Sequence, residues 1–151
     1  MSMTIRPAVS EDFPHIVRMI RELHIHVGTS EPPKVSTEIL RSDGPFGRGN
    51  FAILVAEQED KLVGMCLYTF SFSGWRGRSG IFVEDLYVDP GQRGSGIGRQ
   101  LLMSALEHGA KRGAAFIKLE VTATNTSAVD FYRKCGFELS ESEAIMAFDK
   151  A

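Results

Sequence analysis

The chain has 151 residues, of which 43% are hydrophobic and 24% are charged, and its formal net charge is -2. This length and composition fit one folded domain with a hydrophobic core and argue against a disordered or fibrous chain. A net charge this close to zero provides no general attraction for nucleic acid or for an anionic membrane. We therefore expect neither as a partner.

Apolar runs and cysteines give the first indications of location. No apolar run approaches the roughly 18 residues that cross a membrane, and residues 1–9 lack the apolar core of a signal peptide. Cys66 and Cys135 have no metal-ligand spacing, which predicts reduced, buried thiols. We expect a cytoplasmic protein.

The first third of the chain predicts a strand followed by two helices. Residues 4–7 form a short strand-like run, and Ser10 or Asp12 can cap the helix after it. The apolar positions of this helix recur at helical spacing: Ile16, Ile20, Leu23 and Val27. Ser36 or Thr37 can cap a second, shorter helix that ends near the Asp-Gly turn after it.

Strand-like runs dominate the middle of the chain, at residues 51–57, 62–72 and 80–88. The polar turn at 59–61 joins the first two runs and predicts an antiparallel hairpin. From Ile97 to the stop at Gly113, apolar residues recur with a helical period.

The last third predicts a strand at 116–121 and a helix over about 127–134, and residues 137–139 and 145–148 can complete the sheet. Strands on either side of a helix predict a right-handed crossover with a parallel pair. One mixed α/β sheet with helices on both faces, in a single domain over 1–151, is the simplest assembly.

A glycine-rich turn lies between the third strand-like run and its helix. It consists of Arg93, Gly94, Ser95, Gly96, Ile97 and Gly98. Glycines at such a turn let successive backbone N–H groups point inward, and the start of the helix adds positive potential. A diphosphate is the natural ligand, and Arg93 can add a charge-assisted contact.

The spacing of this turn matches neither of two common phosphate-binding motifs. Residues 93–98 read R-x-x-G-x-G, not the G-x-G-x-x-G of dinucleotide-binding folds, and no Gly-Lys-Ser/Thr follows. Taken alone, the turn is also compatible with a plain strand-to-helix connection or with another nucleotide ligand.

A second motif accompanies the turn downstream. It reads Asn125-x-x-Ala128-x-x-Phe131-Tyr132-x-x-x-Gly136-Phe137. Together with the 93–98 turn and the preceding Val88-x-Pro90, this pattern resembles the GNAT superfamily of N-acetyltransferases. The resemblance extends over nearly the whole chain and implies a mostly antiparallel sheet with a central, splayed parallel pair.

The resemblance also implies a ligand and residue roles. The 93–98 turn would bind the pyrophosphate of acetyl-CoA, and Asn125 and Tyr132 would reach its pantetheine and thiol end. The Leu86 backbone N–H would stabilise the oxyanion, and Val88 would offer its backbone to the pantetheine amides. Tyr132 would protonate the leaving thiolate; the alternative is a core aromatic. Because no motif supplies an acyl-enzyme nucleophile, we expect direct transfer in a ternary complex.

A narrower resemblance concerns the segment before the turn. It reads Phe72-Ser73-x-Trp75-x-Gly77-Arg78 and then Val83-Glu84-Asp85-Leu86-Tyr87-Val88. This is similar to the branch that contains diamine (spermidine/spermine) and thialysine acetyltransferases. It implies that Trp75 helps to bind a small primary amine and that the enzyme is a homodimer. A partly covered loop aromatic is the alternative for Trp75.

Adjacent carboxylates follow on the third strand-like run. An alkylamine attacks a thioester only after losing its proton, and the resemblance makes Glu84 the general base, acting through a water. Regular alternation would place Glu84 and Asp85 on opposite faces of the strand and give them different roles, with Asp85 binding substrate. Structural, ion-paired carboxylates are the alternative.

Histidines at the end of the first helix provide the last candidates. Many relatives of the diamine branch place a Tyr-Glu pair where this chain reads Glu22-Leu23-His24-Ile25-His26. Side chains two apart on a helix point in different directions, so we expect no metal site. His24 is instead expected near the mouth of the substrate site.

The sequence also leaves acceptors of other kinds open. An aminoglycoside or a protein amine would suit the same chemistry. A non-catalytic acyl-CoA-binding module is the alternative from another class, although the presence of both Glu84 and Tyr132 favours an enzyme.

Overall fold

A computed structural model describes residues 2–26, 31–122, 124–140 and 143–150. The chain forms two compact units, Met1–Glu120 and Val121–Ala151, which we describe separately. No helix within the described ranges is long and apolar enough to cross a membrane.

The first unit holds a five-stranded sheet whose spatial order follows the chain. Its strands are β1 (Met3–Pro7), β2 (Ala52–Gln58), β3 (Lys61–Ser73), β4 (Arg78–Val88) and β5 (Ala114–Leu119). The helices of this unit are α1 (Phe13–His26), α2 (Thr37–Asp43) and α3 (Ile97–Ala110). All neighbouring strands are antiparallel except β4 and β5, which are parallel. The predicted mixed sheet and its parallel pair are confirmed.

Local sequence explains where the hairpin and the second helix begin and end. Glu59 and Asp60, both with positive φ, form the two-residue turn between β2 and β3, as a tight hairpin requires. The Ser36 side chain accepts a hydrogen bond from the Ile39 N–H and caps α2, which confirms one of the two predicted caps.

Apolar side chains on both faces of the sheet hold the helices. The stripe on α1 buries Phe13, Ile16 and Ile20 in a cluster with Val55 and Met65 of the sheet. Neighbouring residues of a strand face opposite ways, so Met65 marks the α1 face and Gly64 the other.

Close approach to the second face depends on small residues. A Cβ on Gly64 would lie 3.2 Å from a Leu101 methyl carbon of α3, and one on Gly109 of α3 would lie 2.7 Å from Ile81 Cγ2. These glycines let α3 pack closely on the sheet, which positions the turn that precedes the helix.

The second unit contains α4 (Thr126–Lys134), close to its predicted range. The two strands predicted at 137–139 and 145–148 are wrong, because the described residues there form no strand. Ile145, Met146 and Phe148 are 70%, 95% and 95% exposed, so the burial that stabilises a strand is missing.

The cysteines agree only in part with expectation. Cys66 is free and buried, and burial raises the pKa of its thiol to about 12, which leaves it unreactive. Cys135 is only half-buried, so the prediction that it is a buried thiol is wrong. Val27, which was predicted to extend the stripe on α1, lies outside the described residues.

Candidate active site

A β-bulge at Glu84 shapes the centre of the first unit. On β3, Leu67 pairs with Asp85 and the next residue, Tyr68, pairs with Val83, so Glu84 is the extra residue of β4. A bulge bends the strand and redirects its side chains. In the described part of the chain β4 pairs with β5 only as far as Val83, so the two strands part at the bulge.

The bulge also changes the face of the sheet on which the side chains of the second half of β4 lie. Ile81 lies against α3, because the Cβ of a substituted Gly109 would meet it. Regular alternation would keep Asp85 on that same face. Asp85 instead contacts His24 of α1. The regular alternation that the sequence predicted is therefore interrupted at the bulge, and the placement of Glu84 and Asp85 on opposite faces stays a prediction.

Glu84 and Asp85 interact electrostatically. Partial burial, then the charges of Asp85 and Glu120, raise the pKa of the exposed Glu84 carboxyl. Burial also raises the pKa of Asp85, although His24 opposes part of that shift. A carboxylate with a raised pKa is a stronger base, which is what removal of a proton from an amine requires.

His24 reaches β4 from α1. Its Nε2 lies 3.3 Å from Asp85 Oδ1, and the side chains of His24 and Asp85 are 39% and 15% exposed. The sequence did not indicate this contact, and the expected position of His24 near the mouth of the substrate site stays a prediction. The carboxylate is almost covered, whereas the imidazole still faces solvent.

Glu22 is a residue of this cluster that the sequence did not indicate. The Tyr87 hydroxyl donates a hydrogen bond to the Glu22 carboxylate, and Arg18 Nη1 lies 3.0 Å from Glu22 Oε1. The Arg18–Glu22 spacing of one helical turn could have suggested the ion pair. The contact with Tyr87, far away in sequence, has no local signal.

The glycine turn contains two residues with positive φ. Gly94 and Gly96 have φ values of 84° and 87°, and Gly96 is the residue before α3. No heavy atom would lie within 4 Å of a Cβ on Gly94. The first N–H groups of a helix have no partner within it, so the start of α3 can donate to an anion.

Neighbouring side chains hold this turn. Arg93 Nε donates to the Val88 carbonyl oxygen over 2.9 Å, and the Arg93 guanidinium lies 5.9 Å from the centre of the Tyr87 ring. The Ser95 hydroxyl donates to the Gln92 carbonyl oxygen. Ile97 and Gly98 are buried at the start of α3. Arg93 therefore lies at the surface beside the last residues of β4.

The second motif lies in the second unit. Asn125 caps α4, and its Oδ1 accepts hydrogen bonds from the Ala128 N–H and from the Ser127 hydroxyl, both over 3.2 Å. The half-buried Tyr132 packs edge-on against Phe131 and Phe137. The predicted helix entrance at Asn125 is confirmed. A shared role of Tyr132 and Glu84 at one thioester stays a prediction.

Trp75 lies at the tip of the β3–β4 hairpin and is 97% exposed. The stretch of β4 from Arg78 to Glu84 spans about 20 Å. Within one chain, Trp75 and Glu84 are therefore separated by more than half the length of β4.

The described residues contain no group of three or more His, Cys, Asp or Glu side chains that could hold a metal ion.

Comparison with known proteins identifies the family. The family model described as Acetyltransferase (GNAT) family matches residues 15–137, most of the chain. The chain belongs to the GNAT family of acetyltransferases and is an enzyme of that family. The resemblance inferred from the 93–98 turn and the Asn125–Tyr132 motif is confirmed at this level.

Named relatives indicate which branch of the GNAT family the chain is similar to. The chain is 40% identical to thialysine N-epsilon-acetyltransferase of Sus scrofa, with 97% of this chain and 91% of the relative covered. It is 39% identical to the enzyme of that name from Bos taurus, with 95% and 89% covered. A crystal structure of a transcriptional regulator from Bacillus halodurans has 27% identity and a TM-score of 0.79, covering 97% and 100%. The thialysine-like branch is thus supported.

Proposed function

We propose that this enzyme transfers an acetyl group from acetyl-CoA to a primary amine of a small molecule, a diamine, polyamine or lysine-like amino acid, by direct transfer in a ternary complex. The observation that carries this proposal is the bulge at Glu84. It sets a carboxylate of raised pKa where β4 leaves β5, on the strand that leads into the glycine turn.

The residues of the turn fit an acetyl-CoA pyrophosphate. Positive φ at Gly94 and Gly96 turns the backbone, open space surrounds Gly94, and the N–H groups that begin α3 are donors. Arg93 adds a positive charge beside them. The Leu86 and Val88 backbones would orient the acyl and pantetheine portions. Acetyl-CoA supplies the activated acetyl thioester.

Side chains of the enzyme would carry out the proton transfers. Glu84 would accept the proton of the acceptor ammonium through a water, since an alkylamine with a pKa of about 10.4 is protonated near neutrality. The Tyr132 hydroxyl would donate a proton to the departing sulfur. Asn125 would orient the donor from the entrance of α4.

The class of acceptor rests on the thialysine acetyltransferases. Two of them share about 40% of their residues with this chain over nearly its whole length. This supports a small amine in preference to an aminoglycoside or a protein.

We also propose a cytoplasmic homodimer. The exposure of Trp75 and its distance from Glu84 support an arrangement in which Trp75 of the partner subunit reaches the site. Sedimentation equilibrium would reveal the dimer, and a monomer with full activity would contradict this part.

A panel of amines tests the activity. Thialysine, lysine, putrescine and spermidine are incubated with acetyl-CoA, and release of the coenzyme-A thiol is followed. Intersecting initial-rate lines for donor and acceptor would support the ternary complex, whereas parallel lines would indicate an acyl-enzyme. Coenzyme A should raise the melting temperature, whereas ATP and NAD should not. Binding without turnover of any amine would favour an acyl-CoA-binding module.

A further inference from the structure

Acidic side chains gather where α1 meets β4, and most of them are already paired. Glu22 binds Arg18 and the Tyr87 hydroxyl, Asp85 lies against His24, and Asp89 lies 4.0 Å from Arg18. Glu84 differs, because it is exposed and forms no ion pair within the described ranges. Glu84 is therefore a carboxylate next in sequence to Asp85 that no ion pair among the described residues neutralises.

The candidate acceptors differ in the net positive charge that they keep beside the reacting amine. In each, the reacting amine must give up its proton, and Glu84 serves that group. A polyamine keeps one or more further ammonium groups, and each needs an anionic partner when it leaves water. A lysine-like amino acid keeps an α-ammonium and an α-carboxylate, whose charges cancel.

Asp85 is the carboxylate placed to receive a second ammonium. It adjoins Glu84 at the bulge and is near enough to influence its ionisation. His24 Nε2 lies 3.3 Å from the Asp85 carboxylate, and with the Asp85 side chain only 15% exposed, little of it remains open to a ligand. A substrate ammonium would have to displace the imidazole.

We propose that His24 is a specificity-determining residue, which occupies Asp85 and so favours a lysine-like amino acid over a polyamine as acceptor. The inference rests on the proposed function, because it names the substrate class of that same site. It assigns His24 a positioning role and no part in the transfer itself.

The test is the ratio of kcat/KM for spermidine to kcat/KM for thialysine, with acetyl-CoA saturating. In His24→Ala this ratio should rise about tenfold, the effect of one charge-assisted hydrogen bond gained by the polyamine. A ratio measured on one preparation is insensitive to partial loss of folded enzyme. If His24→Ala does not fold, His24→Leu keeps the bulk, donates no hydrogen bond and carries the same expectation.

Three control variants separate specificity from a general effect. His24→Gln retains an N–H donor toward Asp85 and should keep the wild-type ratio. The double variant His24→Ala/Asp85→Asn should return to that ratio, because the exposed carboxylate is gone. His15→Ala, an exposed histidine on the same helix, should leave the ratio unchanged.

Each result of these measurements either supports or contradicts the role of His24. An unchanged ratio in His24→Ala, a gain that persists in the double variant, or an equal gain in His15→Ala would overturn the role of His24 while leaving amine acetylation intact. Absence of thiol release with every acceptor would instead overturn the proposed function and, with it, this inference.

Discussion

The Tyr132 ring packs against two phenylalanines, with its centroid 5.1 Å from that of Phe131 and 5.6 Å from that of Phe137. Tyr132→Phe preserves this packing and removes only the hydroxyl. If that hydroxyl protonates the thiolate, kcat should fall about a hundredfold while the Kd of acetyl-CoA changes little. Single-turnover rates and calorimetric titration would measure the two quantities. Equal losses in both would show that the tyrosine is structural.

The carboxylates at the bulge predict a pH dependence. Glu84 acts as a base only when ionised, and its pKa is raised above the ordinary 4.5 by burial and by the charges of Asp85 and Glu120. The kcat should therefore rise with pH through a value above 4.5, and Glu84→Gln should remove that rise. In Asp85→Asn one of the causes is gone, so the rise should move to lower pH.

A remote carboxylate serves as the control for this prediction. Asp60, exposed at the β2–β3 turn, has a φ of 63°, which asparagine tolerates well. Asp60→Asn should reproduce the wild-type pH profile. Identical acid-side profiles for wild-type and Asp85→Asn enzymes would contradict the coupling between the two carboxylates.

At the scale of elements, two glycines permit a matched test of the pyrophosphate turn. Gly96 before α3 and Gly113 after it have φ values of 87° and 89°, and neither would bring a Cβ closer than 3.9 Å to another heavy atom. Alanine at either position should cost about 1–2 kcal/mol in backbone strain. Gly96→Ala alone should also weaken acetyl-CoA binding, measured by calorimetry. Equal affinities in the two variants would contradict the assignment of the turn.

Arg6 links three elements through Asp12 and Glu57. Its guanidinium forms a two-point contact with Asp12, at 2.8 and 3.1 Å, and lies 3.3 Å from Glu57 of β2. Burial alone would raise the pKa of Asp12, but hydrogen bonds from Arg6 and from the Val9 N–H outweigh it and lower that pKa. The start of α1 is therefore tied to β1 and β2 by an ionised Asp12.

Asp12→Asn should lower the free energy of unfolding by about 1–3 kcal/mol at neutral pH, since it leaves the Arg6 guanidinium with a weaker partner. Because the pKa of Asp12 is lowered in the folded state, its contribution is present above the ordinary value of 3.8 and is lost as the pH falls through the folded value. Urea unfolding should show the difference between the two proteins shrinking below pH 3.8. A difference that does not depend on pH would contradict the ionised pair.

For the molecule as a whole, hydrophobic periodicity predicts those helices and strands that form because their own apolar side chains are buried. The apolar stripe of α1 and the apolar runs of β2 to β4 are examples. Apolar residues recur at different periods in helices and in strands, and in these elements they are buried between helix and sheet. The short apolar runs at 137–139 and 145–148 predict strands that complete the sheet, but an apolar run does not by itself supply a neighbouring strand. Ile145 and Phe148 consequently lie exposed.

The site was predictable where a motif is local and not where contacts are distant. The 93–98 turn and the cap at Asn125 depend on adjacent residues, so their spacing identified them. The bulge at Glu84 depends on the register between β4 and Leu67–Tyr68 of β3, which no local pattern encodes. The contacts of Asp85 with His24 and of Tyr87 with Glu22 follow from that register.

We propose above all that this enzyme moves an acetyl group from acetyl-CoA to the side-chain amine of a small acceptor. The most direct test incubates the purified enzyme with acetyl-CoA and thialysine and follows both thiol release and the mass of the acceptor. We expect one thiol to be released for each acceptor that gains one acetyl group. Thiol release without an acetylated acceptor, or neither event with any amine in the panel, would contradict it.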